Sequence, residues 1–166
     1  FTRGTSRDPY ARYSERGPDY IYNMERLLQK FDTAKALVPQ PILRTARKKA
    51  DFGAIYYGST SPSMDEAIHV LETQDLHLDT LRVRAFPFPE SVRQFVLSHE
   101  RVFLIEQNRD AQLRSLVINE FDLDPARIIA ILHYDGTPIT ARFIVRAIAE
   151  HMRGASVSAQ ASETVA

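Results

Sequence analysis

The sequence predicts a doubly wound α/β domain, and three observations carry that expectation. An apolar run, Phe52-Gly53-Ala54-Ile55-Tyr56-Tyr57, closes on the small-residue turn Gly58-Ser59-Thr60-Ser61-Pro62. Behind the turn, Met64, Ala67, Ile68 and Leu71 recur at the spacing of a helix with one buried face. The same alternation of strand-like run and helical stripe then repeats three more times. Repeated strand–helix units imply right-handed crossovers and a mostly parallel sheet covered on both faces. Ligands and partners of such sheets collect at the carboxyl ends of the strands.

The later units follow in order. Leu81 to Phe86 alternates and reads as a strand, and Pro89 opens a helix carrying Val92, Phe95 and Val96. Residues 101–106 (RVFLIE) are mostly apolar, as a central parallel strand should be, and a helix with Leu113, Leu116, Val117 and Phe121 on one face comes next. Residues 127–132 (RIIAIL) form the fourth strand, and the last helix bears Ile144, Ala147, Ile148 and Met152. The domain therefore spans about residues 51–152, and residues 153–166, rich in Ser and Ala, read as a flexible tail.

Residues 1–50 stand apart. Residues 1–19 hold four arginines with Gly and Pro and show neither period, so they read as irregular, with tyrosines suited to packing. Tyr20, Met24, Leu27, Leu28 and Phe31 then form a helical stripe that ends near Val38-Pro39. A lone helix with such a stripe must dock on something. Pro39-Gln40-Pro41 breaks it, and Arg44, Arg47, Lys48 and Lys49 make a basic linker. The chain opens on Phe1, which reads as the continuation of a longer polypeptide.

Composition narrows the function classes. At 166 residues the chain suits one domain with appendages. Lys plus Arg equals Asp plus Glu at 21 each, so no net field points to nucleic acid or to an anionic membrane. There is no signal-peptide pattern and no run approaching a membrane span, which makes the cytoplasm the default location. Cysteine is absent, so this chain supplies no thiol nucleophile, no Cys-ligated zinc and no iron–sulfur ligands. The five histidines, at 69, 77, 99, 133 and 151, have no metal-ligand spacing.

Three places could carry a site. The turn from Gly58 to Ser63 could bind an anion at a helix N-terminus, or simply cap the helix through Ser61, or through Ser63 with Glu66. Glu106, Gln107 and Asn108 end the third strand. If the first and third strands are neighbours, these residues face Ser59 and Thr60 across the crevice; equally, they could cap the helix that starts near Asp110. His133 beside Asp135 could do acid–base work, but Asp135-Gly136-Thr137-Pro138 is also ordinary turn chemistry. An acidic pair after the first strand would mark a receiver domain, and Gly-Ser-Thr stands there instead.

In order, the segments GTSRDPYARYSERGPDYIYNMERLLQKFDTA, FGAIYYGSTSPSMDEAI, LRVRAFPFPESVRQFV, VFLIEQNRDAQLRSLV and HYDGTPIT resemble the alpha subunit of 2-oxoacid:ferredoxin oxidoreductases, most closely the 2-oxoglutarate type. The resemblance runs over about residues 4–152. It implies the end of a thiamine-pyrimidine domain, a linker and a transketolase-C-like domain. The implied reaction converts a 2-oxoacid and coenzyme A to acyl-CoA and carbon dioxide, with reduction of ferredoxin. Thiamine diphosphate, Mg2+, a 4Fe-4S cluster and coenzyme A are then expected in the holoenzyme, mainly outside this chain. The implied partners are a beta subunit and the upstream part of alpha, in a hetero-oligomer of the (alpha-beta)2 type. Gly58, Ser59, Thr60, Ser61, Glu106, Gln107 and Asn108 match strand-end turns of the family and are expected at an interface or anion site, with no catalytic or metal-binding role. The alternative is a free-standing α/β module that binds a small anion at the Gly58–Ser63 turn.

Overall fold

Gly53-Ala54-Ile55-Tyr56 is apolar on both sides because this strand lies at the centre of the sheet. The computed structural model describes residues 4–163, with side chains as far as Arg153. The strands are β1 (Ser6–Arg7), β2 (Tyr13–Ser14), β3 (Ile42–Arg44), β4 (Phe52–Tyr57), β5 (Asp79–Val83), β6 (Arg101–Glu106) and β7 (Ile128–Leu132). The helices are α1 (Gly17–Leu37), α2 (Ser61–Thr73), α3 (Glu90–Leu97), α4 (Gln112–Phe121) and α5 (Ala141–Glu163).

The chain divides into two units. The larger comprises residues 41–84 and 90–166, the smaller residues 1–40 with 85–89. In the larger unit five strands form one sheet in the order β3-β5-β4-β6-β7. β4 pairs in parallel with both β5 and β6, and β6 with β7, while β3 runs antiparallel to β5 at the edge. This is an open, mostly parallel sheet of the transketolase C-terminal type, and its order reverses between β5 and β6, around β4. The first and third strands of the predicted series are therefore neighbours, as the crevice expectation requires.

Helices cover both faces. Ala54, Tyr56, Phe103 and Ile105 point to the side where α2 brings Met64, Ala67, Ile68 and Leu71 and α5 brings Ile144, Ile148 and Met152. The expected stripe of α2 is buried in full. So is that of α3, through Val92, Phe95 and Val96. The opposite face of β4 makes room for α3 at Gly53, where a Cβ would lie 2.7 Å from the Phe95 ring. α4 is less sunken than its pattern suggests: Val117 is its one buried residue and Leu116 is exposed.

Three boundaries differ from the sequence reading. Ile42–Arg44, read as the start of a linker, is strand β3, because its antiparallel pairing with β5 is long-range and leaves no local signal. The second predicted strand stops at Val83 rather than Phe86, where a segment with Pro87 and Pro89 begins. Proline cannot donate to a ladder. Finally, α5 continues as backbone helix to Glu163 where a flexible tail was expected. The stretch lacks proline, and its alanines, glutamine and glutamate are strong helix formers. Residues 164–166 lie outside the described residues.

In the smaller unit, residues expected to be irregular form a two-stranded antiparallel ribbon, Ser6 opposite Ser14 and Arg7 opposite Tyr13. Its turn is built by Asp8, whose carboxylate accepts from the backbone NH of Tyr10 and Arg12. α1 starts after Arg16 with Pro18 in its first turn, and Gln40 closes it by donating to the carbonyls of Lys35 and Val38. Asn23 ties α1 to β1 through Ser6 Oγ and the Arg7 carbonyl, and Phe31 packs near Phe86 with ring centroids 6.1 Å apart. Yet no residue of α1 is buried. Ile21, Tyr22, Leu28, Phe31 and Leu37 all stand at least half exposed, Leu28 at 70%.

Burial has one titration consequence. The Tyr56 phenol is held above the usual tyrosine range by burial and by Asp65, against the opposing pull of the Thr80 hydrogen bond, Arg82 and Arg44. The unfolded chain releases that proton near pH 10. The resulting stability is thus complete below about pH 10 and is lost as pH rises through the higher folded value. In a spectrophotometric titration, one of the seven tyrosines is expected to ionise last. Tyr56→Phe should remove that late step, and an unaltered curve would contradict the burial account.

Candidate functional site

The carboxyl ends of β4, β6 and β7 bring the predicted residues together. After β4 the chain turns through a single 3-10 turn, Gly58–Thr60, straight into α2. Gly58 has φ +57, a left-handed value that favours glycine, and this permits the abrupt change from strand to helix. Neither capping arrangement expected for this turn is present. Ser61 is already helical, and Thr60, at the N-cap, makes no side-chain cap bond. Ser63 Oγ instead donates to the Ile139 carbonyl at 2.7 Å, fastening α2 to the segment that precedes α5.

Gln107 spans the switch point. Its amide nitrogen lies 3.1 Å from Ser59 Oγ and 3.2 Å from Thr60 Oγ1, and its amide oxygen accepts from Ile139 NH at 3.4 Å. One side chain thus links the ends of β4 and β6 to the segment before α5. The two hydroxyls proposed to meet an anion are engaged by an amide of the same chain.

Glu106 is fully buried and acts on α4. Its Oε2 accepts from Leu113 NH at 2.8 Å and Asn108 Nδ2 at 2.7 Å, and its Oε1 from Arg114 NH at 2.9 Å. Asn108 Oδ1 accepts from Asp110 NH and Gln112 NH. A carboxylate at the positive end of a helix, with its oxygens bonded to first-turn donors, is a stable way to bury that charge. The helix-capping option for Glu106 and Asn108 is therefore what the structure contains. Local spacing could suggest it; the link from Gln107 to Ile139, 32 positions on, depends on strand order and had no sequence signal.

His133 lies at the end of β7 with Nε2 3.5 Å from Asp135 Oδ2 and its ring edge-on to Phe143. Asp135 itself is committed to the turn: Thr137 donates to it from both NH and hydroxyl, and these bonds, helped by His133, lower its pKa. Among the described residues no hydroxyl is paired with His133. Among the described residues no three His, Asp or Glu side chains gather as a metal-ligand group, and no helix is long and apolar enough to cross a membrane. In the basic segment Arg47 faces Glu72, Lys48 Asp75 and Lys49 Asp51, while Arg44 faces no carboxylate that close among the described residues. What these strand ends do chemically is brace one another.

Comparison with known proteins puts the fold in context. No family model and no curated protein matches this sequence. Among solved structures, the chain is similar to the 2-oxoglutarate:ferredoxin oxidoreductase from Magnetococcus marinus, solved with 2-oxoglutarate, coenzyme A and succinyl-CoA bound. The match has a TM-score of 0.76 and 19% sequence identity, and covers 87% of this chain and 25% of that one. A second similar structure is the alpha chain of a probable 2-oxoacid ferredoxin oxidoreductase from Thermoplasma acidophilum, with a TM-score of 0.46, 25% identity, and coverage of 69% of this chain and 97% of that one. The first likeness establishes a shared fold, over a chain that spans a quarter of the length of the Magnetococcus protein.

Proposed function

We propose that this chain is the C-terminal structural and interface portion of the alpha subunit of a thiamine-dependent 2-oxoacid:ferredoxin oxidoreductase of the 2-oxoglutarate type. The observation that carries this reading is α1, a helix of 21 residues with none buried and a row of large apolar side chains in water. Apolar surface of that size marks a place where another polypeptide sits. The order of sequence motifs and the fold shared with a 2-oxoglutarate:ferredoxin oxidoreductase support the choice of enzyme.

In this reading the cytoplasmic particle oxidatively decarboxylates a 2-oxoacid with coenzyme A and passes electrons to ferredoxin. The thiamine diphosphate, Mg2+ and iron–sulfur cluster are held by other parts of the assembly. The present chain contributes no cysteine, and the side chains at its strand ends are spent on one another. Its own work is mechanical: to present α1 to a neighbour and to hold the five-stranded sheet as a rigid support.

The test is 2-oxoglutarate- and coenzyme-A-dependent reduction of ferredoxin by the purified particle, with Ile21, Tyr22 and Leu28 intact or all replaced by Ser. The reading expects turnover by the intact particle. In the variant, turnover should fall with loss of assembly, while the isolated chain, in which these side chains are solvent-exposed, unfolds at the same midpoint. Unchanged assembly and turnover in the variant would remove α1 from the interface.

A further inference from the structure

Arg44 and Arg82 stand on neighbouring strands and share one face of the sheet. Across β3 and β5, Ile42 is opposite Arg82 and Arg44 opposite Thr80; across β5 and β4, Arg82 is opposite Tyr56 and Thr80 opposite Ala54. Side chains two apart along a strand point the same way, so the two arginines are diagonal neighbours within reach of each other. The Tyr56 hydroxyl, bonded to Thr80, feels the charge of both, and Asp65 on α2 is the acid that also bears on it.

Two features set this pair apart from the basic residues 47–49. Arg47, Lys48 and Lys49 each face a carboxylate within 4.0 Å, whereas neither Arg44 nor Arg82 has one that close among the described residues. In addition, Arg82 Nε is buried with no hydrogen-bond partner among the described residues. Like charges placed side by side repel, and a guanidinium NH withdrawn from water without an acceptor is costly. Both penalties are relieved by the same thing, an oxyanion seated between the two guanidinium groups.

We propose that Arg44 and Arg82, with the Tyr56 hydroxyl beside them, form a binding site for a phosphate group brought by a ligand from outside this chain. Phosphate fits better than carboxylate because its oxygens can accept from both guanidinium groups and from the Tyr56 hydroxyl together, whereas a carboxylate has two oxygens to share among them. The site lies on strands β3 and β5, away from the Gln107 brace, and it does not depend on the enzyme assigned above.

The experiment titrates inorganic phosphate into the nitrogen-15-labelled full chain at constant ionic strength and follows the Arg82 Nε–H resonance, identified by its absence in Arg82→Lys. The expected result is a saturable shift with phosphate, at least tenfold weaker with acetate and lost in Arg44→Gln. Arg44 is solvent-exposed on a short edge strand, so that variant should fold. A shift of equal size in Arg44→Gln, or none in the wild type, would overturn the site. An acetate response as strong as that to phosphate would overturn the assignment to phosphate.

Discussion

Glu106→Gln is expected to destabilise the isolated chain by about 3 kcal/mol, measured by urea unfolding. The two side chains differ at one heavy atom and have nearly the same volume, so packing is not the reason. Both oxygens of Glu106 are acceptors to donors, Oε1 to Arg114 NH and Oε2 to Leu113 NH and Asn108 Nδ2. An amide can offer acceptance at one end only. Whichever way it is flipped, its NH2 confronts at least one N–H at less than 3 Å with no water to intervene, because the residue is fully buried. The loss of charge also removes the anion that complements the positive end of α4. If Glu106→Gln unfolds within 0.5 kcal/mol of the wild type, the carboxylate is not what caps this helix.

Gly53→Ala is expected to cost about 1–3 kcal/mol, an overpacking penalty. The new Cβ would lie 2.7 and 2.8 Å from two ring carbons of Phe95 and 3.1 Å from His99 Nδ1. The Phe95 ring cannot easily swing clear: it is buried and packs on the His99 ring at 4.5 Å. His99 is in turn held at both nitrogens, by the Phe95 carbonyl at 2.7 Å and Asp79 Oδ2 at 3.3 Å. Phe95→Leu should lower stability alone yet cost less in the presence of Gly53→Ala, since it vacates the contested space. Strict additivity of the two changes in thermal or urea unfolding would show that the methyl is accommodated elsewhere.

Both predictions concern contacts that join distant parts of the chain, and this marks the limit of what was legible in the sequence. The stripe of α2 could be read because Met64, Ala67, Ile68 and Leu71 repeat with the helix period and all four face the core. The strands 52–57 and 101–106 could be read because they are central, covered on both faces, and so nearly continuous in apolar residues. β3 could not, because three exposed residues have no period and owe their conformation to Arg82, Leu81 and Thr80 some forty positions away. The short ribbon of β1 and β2 escaped for the same reason: each strand is two residues long, and its turn rests on one aspartate.

At the strand ends the candidate residues could be named from the sequence, but their hydrogen-bond partners could not. Glu106, Gln107 and Asn108 were expected to serve an interface, an anion site or a helix cap, and only strand order decides among hydrogen-bond partners. With β6 beside β4, Gln107 reaches Ser59 and Thr60; with α4 packed beneath β6, Glu106 reaches Leu113 and Arg114. Ser61 and Ser63 show the converse. Their spacing before α2 is that of caps, yet the helix begins one residue earlier and Ser63 turns to Ile139. The amphipathic stripe of α1 is different again: the period was plain, but a stripe tells only that a face is apolar, and here that face is in water.

The central claim is that this chain works as a part, through α1, rather than alone. Native mass spectrometry of the particle purified from its source, followed by the denatured mass of each component, tests it most directly. The account predicts this chain, or a longer polypeptide containing it, together with a cysteine-bearing partner chain that carries the iron–sulfur cluster. A lone particle of 18.9 kDa would contradict it.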